Sequence, residues 1–260
     1  MIPQFSNETK HLIIHTGNIL NLSEVKKKVG QNLTEEVTES LRITLNDWIA
    51  SNGNLGSDTS VVEVRGKQCS LDVQEERKDL KIGLKMFLPV RAPTDVTMIS
   101  SALSKLMKEL DTPHVESFVL SQAGRQAEGI ETEQQLSRLE PLWKQIEQEL
   151  DSGRVLSAGV SDIDTESFVT LHNNAKVKPS IVQINLATCC VVPPALQAFT
   201  KENNVQLLTH NDPLDLLPDT TVSEIFGAGW RLGWVLRSQV HVKCRGVLAS
   251  KGFIICVERE

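Results

Sequence analysis

RVLSAGVSDIDTESFVTLHNNAKVKPSIVQINLA, from Arg154 to Ala187, holds a complete strand–helix–strand unit. Val155 to Val160 is a short apolar run of strand length, Thr165 to Ala175 reads as a helix, and Ile181 to Ala187 as a second strand. Such alternation marks the parallel β/α repeat, because a parallel neighbour is reached only through a crossover. Downstream the pattern continues with a helix from Pro194 to Glu202, proline near its first turn, and a strand from Val205 to Leu208. Upstream lie a strand at Leu80 to Leu88, a helix at Asp95 to Leu110, a strand at Val115 to Leu120 and a long helix at Glu131 to Leu150. The Asp95 helix sets Val96, Ile99, Leu103, Leu106, Met107 and Leu110 on one side. Pro141 is expected to split or kink the Glu131 helix.

The first eighty residues carry a weaker pattern. His11 to His15 reads as a strand. Leu33 to Ser51 reads as a helix, with Asn32 as its cap and Glu35 three residues on. A Gly/Asn/Ser loop, Ser51 to Asp58, follows it. In the tail, a helix is expected near Trp230 to Arg237, then strand-like runs at Val240 to Lys243 and Phe253 to Val257. The whole, residues 1–260, reads as one α/β domain, its core a buried parallel sheet. Closed barrels and doubly wound sheets both fit this pattern. No G-x-G-x-x-G follows a strand, which weakens the dinucleotide-binding alternative.

Composition narrows the partners. Net charge is -6 and the pI about 5.6, a balance that repels phosphate backbones, so no nucleic acid is expected. The basic run Lys26-Lys27-Lys28 is too short to reverse it and reads as a solvated surface. No apolar run approaches the roughly 18 residues of a membrane span, and the start lacks a secretion-signal pattern. The five cysteines, Cys69, Cys189, Cys190, Cys244 and Cys256, are scattered and odd in number, which fits free thiols in a reducing cytoplasm. Neither C-x-x-C nor H-E-x-x-H occurs, so no metal site is expected.

Three stretches resemble the aldo-keto reductases. Arg154 to Ala187 carries Gly159-Val160-Ser161-Asp162 where that family has G-V-S-N, and then Lys178-Pro179 and Gln183. Arg77 to Phe87 looks like the family's strand with its catalytic lysine, at Lys85. Val205 to Leu214 is the third. The resemblance implies a (β/α)8 TIM barrel. HTGNILN (His15 to Asn21), VKPSIVQINLATCCVVPP (Val177 to Pro194) and VQLLTHNDP (Val205 to Pro213) are similar to one branch, the regulatory subunits of glutamate–cysteine ligase. That likeness implies a non-catalytic barrel in a heterodimer with the ligase's catalytic subunit. It further implies improved use of glutamate and relief of feedback inhibition by glutathione.

Reductase chemistry makes specific demands on these positions. The reaction needs a proton donor, and the family uses a tyrosine with a lysine beside it. This chain has no tyrosine at all. Lys85 would then be a relic. Ser121 stands in the place of the family's histidine, Asp162 replaces an asparagine, and His210 stands where a tyrosine stacks on nicotinamide. Ser161 and Gln183 match positions that hold the nicotinamide amide. A carboxylate at Asp162 can only accept hydrogen bonds, where an amide also donates. No catalytic residue and no bound cofactor are therefore expected. The alternative is an NADPH-dependent oxidoreductase with an eroded active site. The resemblance also raises an intersubunit disulfide, with Cys189, Cys190 and Cys244 as candidates.

Overall fold

The tail decides the architecture. Trp230–Val242 alternates Val235, Arg237, Gln239 and His241 on one side with Leu236, Ser238, Val240 and Val242 on the other. That period of two is the signature of a strand. The computed structural model, which describes residues 5–22, 32–52, 59–66, 76–89, 95–123, 132–186 and 191–259, makes this segment a thirteen-residue strand. The helix expected near Trp230 to Arg237 is thus replaced by extended chain. A turn over residues 243–246 closes with Gly246 at φ 62°, left-handed backbone that glycine adopts without strain. The chain returns as Val247–Arg259, again thirteen residues, antiparallel to the first.

In chain order the described strands are β1 (His11–His15), β2 (Val61–Arg65), β3 (Leu80–Pro89), β4 (Ser117–Ala123), β5 (Ala158–Ser161), β6 (Ile181–Asn185), β7 (Gln206–His210), β8 (Trp230–Val242) and β9 (Val247–Arg259). The helices are α1 (Leu33–Asn52), α2 (Thr97–Glu109), α3 (Thr132–Asp151), α4 (Thr165–Asn174), α5 (Pro194–Glu202) and α6 (Asp219–Phe226). Asn32 caps α1 through the Glu35 amide at 2.9 Å, as its spacing predicts. Asp164 caps α4 through the Ser167 amide at 2.8 Å. Helix α3 runs on through Pro141 without being split.

The β/α alternation read from Leu80 onward gives five parallel strands, β3 to β7. The α/β class holds. The sheet departs from an eightfold parallel ring on the other side of β3. Its order among the described residues is β2-β1-β9-β8-β3-β4-β5-β6-β7. The β8–β9 hairpin stands between β1 and β3, antiparallel to both. Strands β1 and β2 therefore run opposite to β3–β7. The reason is local: two long alternating segments joined by a tight turn satisfy each other's backbone first. They then offer two free edges to the strands on either side.

Two cores follow, one on each face. Leu84, Met86, Phe118, Leu120 and Leu236 face α2–α5, where Leu103, Leu106, Trp143 and Phe168 are buried. On the opposite face, Leu12, Ile14, Val62, Val64 and Ile255 pack against Val37 and Leu41 of α1 and Ile225 and Phe226 of α6. At roughly 25 cal/mol per Å² of apolar area, these two layers supply the main driving force.

The sheet is curled. Lys85 on β3 lies within 2.9 Å of Gln183 on β6, whereas three strand spacings in a flat sheet would be roughly 14 Å. Gly159 permits the curl. A Cβ there would lie 1.9 Å from the Ile181 carbonyl oxygen, so only glycine lets β5 and β6 approach this closely.

Candidate functional site

The curl turns one polar face of β3–β7 inward. Register sets Phe87, Ser121, Ser161, Gln183 and Leu208 in one row across β3 to β7. Lys85 lies two residues earlier on β3, directly opposite Arg237 of β8. Asp162 follows β5 with a left-handed backbone, φ 61°, a conformation asparagine and aspartate tolerate better than other side chains. His210 ends β7, and Asp212 follows two residues on. Lys85, Ser121, Ser161, Asp162, Gln183 and His210 thus converge on one site.

Asp212 is its hub. The Asp212 carboxylate accepts from Lys85 Nζ at 2.8 Å and from Arg237 Nη1 at 2.6 Å. The Asn185 amide holds the Asp212 carbonyl at 2.8 Å. Lys85 spends its other two protons on Ser161 Oγ and Gln183 Oε1, both at 2.9 Å. An ammonium has only three to give. Asp162 gathers Ser161 Oγ at 2.8 Å, His210 Nε2 at 3.0 Å and Ser121 Oγ at 3.2 Å. His210 Nδ1 faces both the Asp212 amide at 3.1 Å and its carboxylate at 3.2 Å. It accepts from the amide when neutral and donates to the carboxylate when protonated.

The electrostatics follow from burial and pairing. Burial lowers the Lys85 pKa, and the Asp212 carboxylate works against that shift without cancelling it. Burial pushes both aspartates upward, yet their cationic and hydrogen-bonding neighbours win. Asp162 ends below its usual value, chiefly through His210, and Asp212 well below its own, through His210, Arg237 and Lys85. Burial alone would lower His210; its bonds to Asp162 and Asp212 raise it instead. With His210 neutral, two cations face two carboxylates and the cluster carries no net charge.

Chemically the cluster is closed. Its amine and hydroxyls are bonded to one another, and the chain has no phenol. A nicotinamide amide seeking Ser161 and Gln183 would have to displace Lys85 from both.

Cys244 is exposed in the turn between β8 and β9. Cys189, Cys190 and Cys69 lie outside the described residues, as do Lys26 to Lys28. Sequence pattern alone singles out neither Asp212 nor Arg237. Asp212 sits inside the quoted Thr209-His210-Asn211-Asp212-Pro213 string, and Arg237 in the segment read as a helix. One trio, His11, Cys256 and Glu258, places a ligand atom from each within 4.8 Å of the others. Burial and the Glu258 charge push the Cys256 thiol up to about 12, so it is protonated near neutrality, and Arg231 stands 3.6 Å from Glu258. Among the described residues no helix is long and apolar enough to cross a membrane.

The aldo/keto reductase family profile matches residues 63–214. The glutamate–cysteine ligase regulatory subunits of Mus musculus and Homo sapiens are each 32% identical over 259 residues, covering 95% of this chain and 93% of theirs. Among solved structures, MGS-M4, an aldo-keto reductase from a deep-sea metagenome library, is 18% identical. It covers 52% of this chain and 45% of its own, with a TM-score of 0.40.

Proposed function

The chain belongs to the glutamate–cysteine ligase regulatory subunits, within the aldo/keto reductase family, and from that premise we propose that it works by binding the ligase's catalytic subunit. The observation that carries this is the closed cluster around Asp212. Lys85, Ser121, Ser161, Asp162, Gln183 and His210 occupy the positions that reductase chemistry would use. Each is engaged with another member of the cluster, and the tyrosine that would donate the proton does not exist. They act as structural relics, and the surface does the work.

Regulation by a bound subunit requires differential affinity. The subunit must bind one conformation of its partner more tightly than another; equal affinity for both shifts nothing. Preference for the glutamate-competent conformation would raise glutamate affinity and weaken glutathione inhibition together. Coupling of this kind is typically worth roughly 5- to 150-fold. The complex is a cytoplasmic heterodimer in this reading. Co-purification with the catalytic subunit, followed by glutamate titration with and without glutathione, tests it. An unchanged glutamate dependence and unchanged inhibition in the mixture would refute it.

Cys189, Cys190 and Cys244 are the candidates for a redox-sensitive bridge to the partner, and Cys244 is exposed. A non-reducing gel of the oxidised complex should show a thiol-reversible heterodimer that Cys244→Ser weakens. The competing reading, an NADPH-dependent oxidoreductase, rests on Lys85, Ser161 and Gln183. It requires quenching of tryptophan fluorescence by NADPH, and no quenching at millimolar cofactor is expected.

A further inference from the structure

A second feature of the concave face lies outside this function. A cleft of about 390 Å³ runs from Lys85 and Gln183 toward the start of β3 and β4, where Lys81, Gln239, His241 and Lys243 line it. That volume lies within the range of small-molecule sites, roughly 300–1,000 Å³. The cleft opens at the N-terminal ends of the parallel strands. Barrel chemistry sits at the opposite end. Its polarity is one-sided: the lining holds lysines, an arginine, a histidine and two glutamines but no carboxylate, in a chain whose net charge is -6.

Two carboxylates stand nearby, and both are already committed. Asp212 lies against Lys85 and Arg237 at the inner end. Glu116 is held by Arg77 at 2.9 and 3.1 Å and by the Ile82 amide at 2.7 Å, reaching Lys243 only at 3.8 Å. Among the described residues nothing pairs with the side chains of Lys81, Gln239 or His241. Arg237 Nε is buried without an acceptor. A buried donor with no partner is costly and calls for explanation.

Register orders these groups. His241 lies opposite Lys81, Gln239 opposite Gly83, and Arg237 opposite Lys85. Lys81 with His241 and Lys85 with Arg237 are therefore separated by four residues of strand, about 13 Å, with the side-chain-free Gly83 between them and the Ser117 hydroxyl 3.2 Å from where its Cβ would stand. The outer pair is joined by Lys243. We infer that this cleft binds a small elongated polyanion, carrying carboxylate or phosphate groups at its outer end near Lys81, His241 and Lys243, with its inner part against Gln239.

The test uses isothermal titration of the full chain with two probes, tripolyphosphate and citrate, at physiological ionic strength. Saturable binding with a submillimolar Kd is expected for at least one, and which one binds tells phosphate from carboxylate. The double variant Lys81→Ala/Lys243→Ala should weaken it tenfold or more. The control double variant Lys176→Ala/Lys201→Ala, on exposed lysines elsewhere, should not. Gly83→Leu, which narrows the middle of the cleft while leaving every charge in place, should also weaken binding. Circular dichroism establishes that each variant is folded. Absence of binding by both probes, or equal loss in the control variant, overturns the inference. Neither result bears on co-purification with the catalytic subunit, which is measured separately.

Discussion

The two ends of the concave face use the same residue types to opposite effect. Toward the C-terminal ends of the parallel strands, Lys85 and Arg237 are locked to Asp212, and His210 to Asp162. Toward the N-terminal ends, Lys81 stands exposed without a carboxylate, and the equally exposed Lys243 donates to the Lys78 carbonyl at 2.7 Å with Glu116 no nearer than 3.8 Å. The first arrangement spends its charges on holding strands together. The second leaves them available. A basic residue in a cleft therefore indicates a ligand only where no nearby acid already claims it.

The contrast can be broken most sharply at Asp212. Asp212→Ala would leave two buried cations without their shared anion, and removing one partner of such a pair costs about 3–5 kcal/mol. Urea denaturation should show that loss, and a change below about 1 kcal/mol would mean that the cluster is solvated. Lys85→Met is expected to cost less, about 1–3 kcal/mol, because Arg237 still holds Asp212 while Ser161 and Gln183 lose a donor. The same denaturation curves measure it, and a larger loss than in Asp212→Ala would reverse the assignment of Asp212 as hub.

A smaller effect is expected in pH dependence. His210 has a raised folded pKa, so its contribution to stability is complete below the unfolded value, near 6.5. It is lost as pH rises through the folded value. Replacing His210 with Gln should remove that slope, worth about 1 kcal/mol or less, from melting temperatures taken between pH 5.5 and 8.5, a window set by roughly one unit below the histidine value and two above. An unchanged slope would assign it to another group. Least of all, Lys81→Ala/Lys243→Ala should shift stability by no more than about 0.5 kcal/mol, since neither side chain holds a buried partner.

How much of this could be read from residues alone follows the same division. Pro194–Glu202 was legible to the residue, and Thr165–Asn174 nearly so, because each carries its own period and a start signal. Strands β3 to β7 were legible for the same reason. The Trp230–Arg237 stretch was not. A short apolar run fits either period, and what settles it is pairing across the hairpin with β9 and, from Val235 on, with β3, some 150 residues away in sequence. The short helix α6 also went unread. At the site, the converging residues were visible one by one through the family resemblance. Their hub was not, since nothing local in Asn211-Asp212-Pro213 says that Lys85 and Arg237 will arrive beside it.

The inserted hairpin has a consequence for how the molecule comes into being. During synthesis, β3 to β7 emerge in order, and each from β4 on can pair with the strand just before it. Strand β1 is made before all of these, yet apart from β2 its neighbour is β9, more than 230 residues later. The nascent chain therefore carries an exposed apolar edge on β1 until β8 and β9 leave the ribosome, a long-range closure that makes the final step slow and open to aggregation.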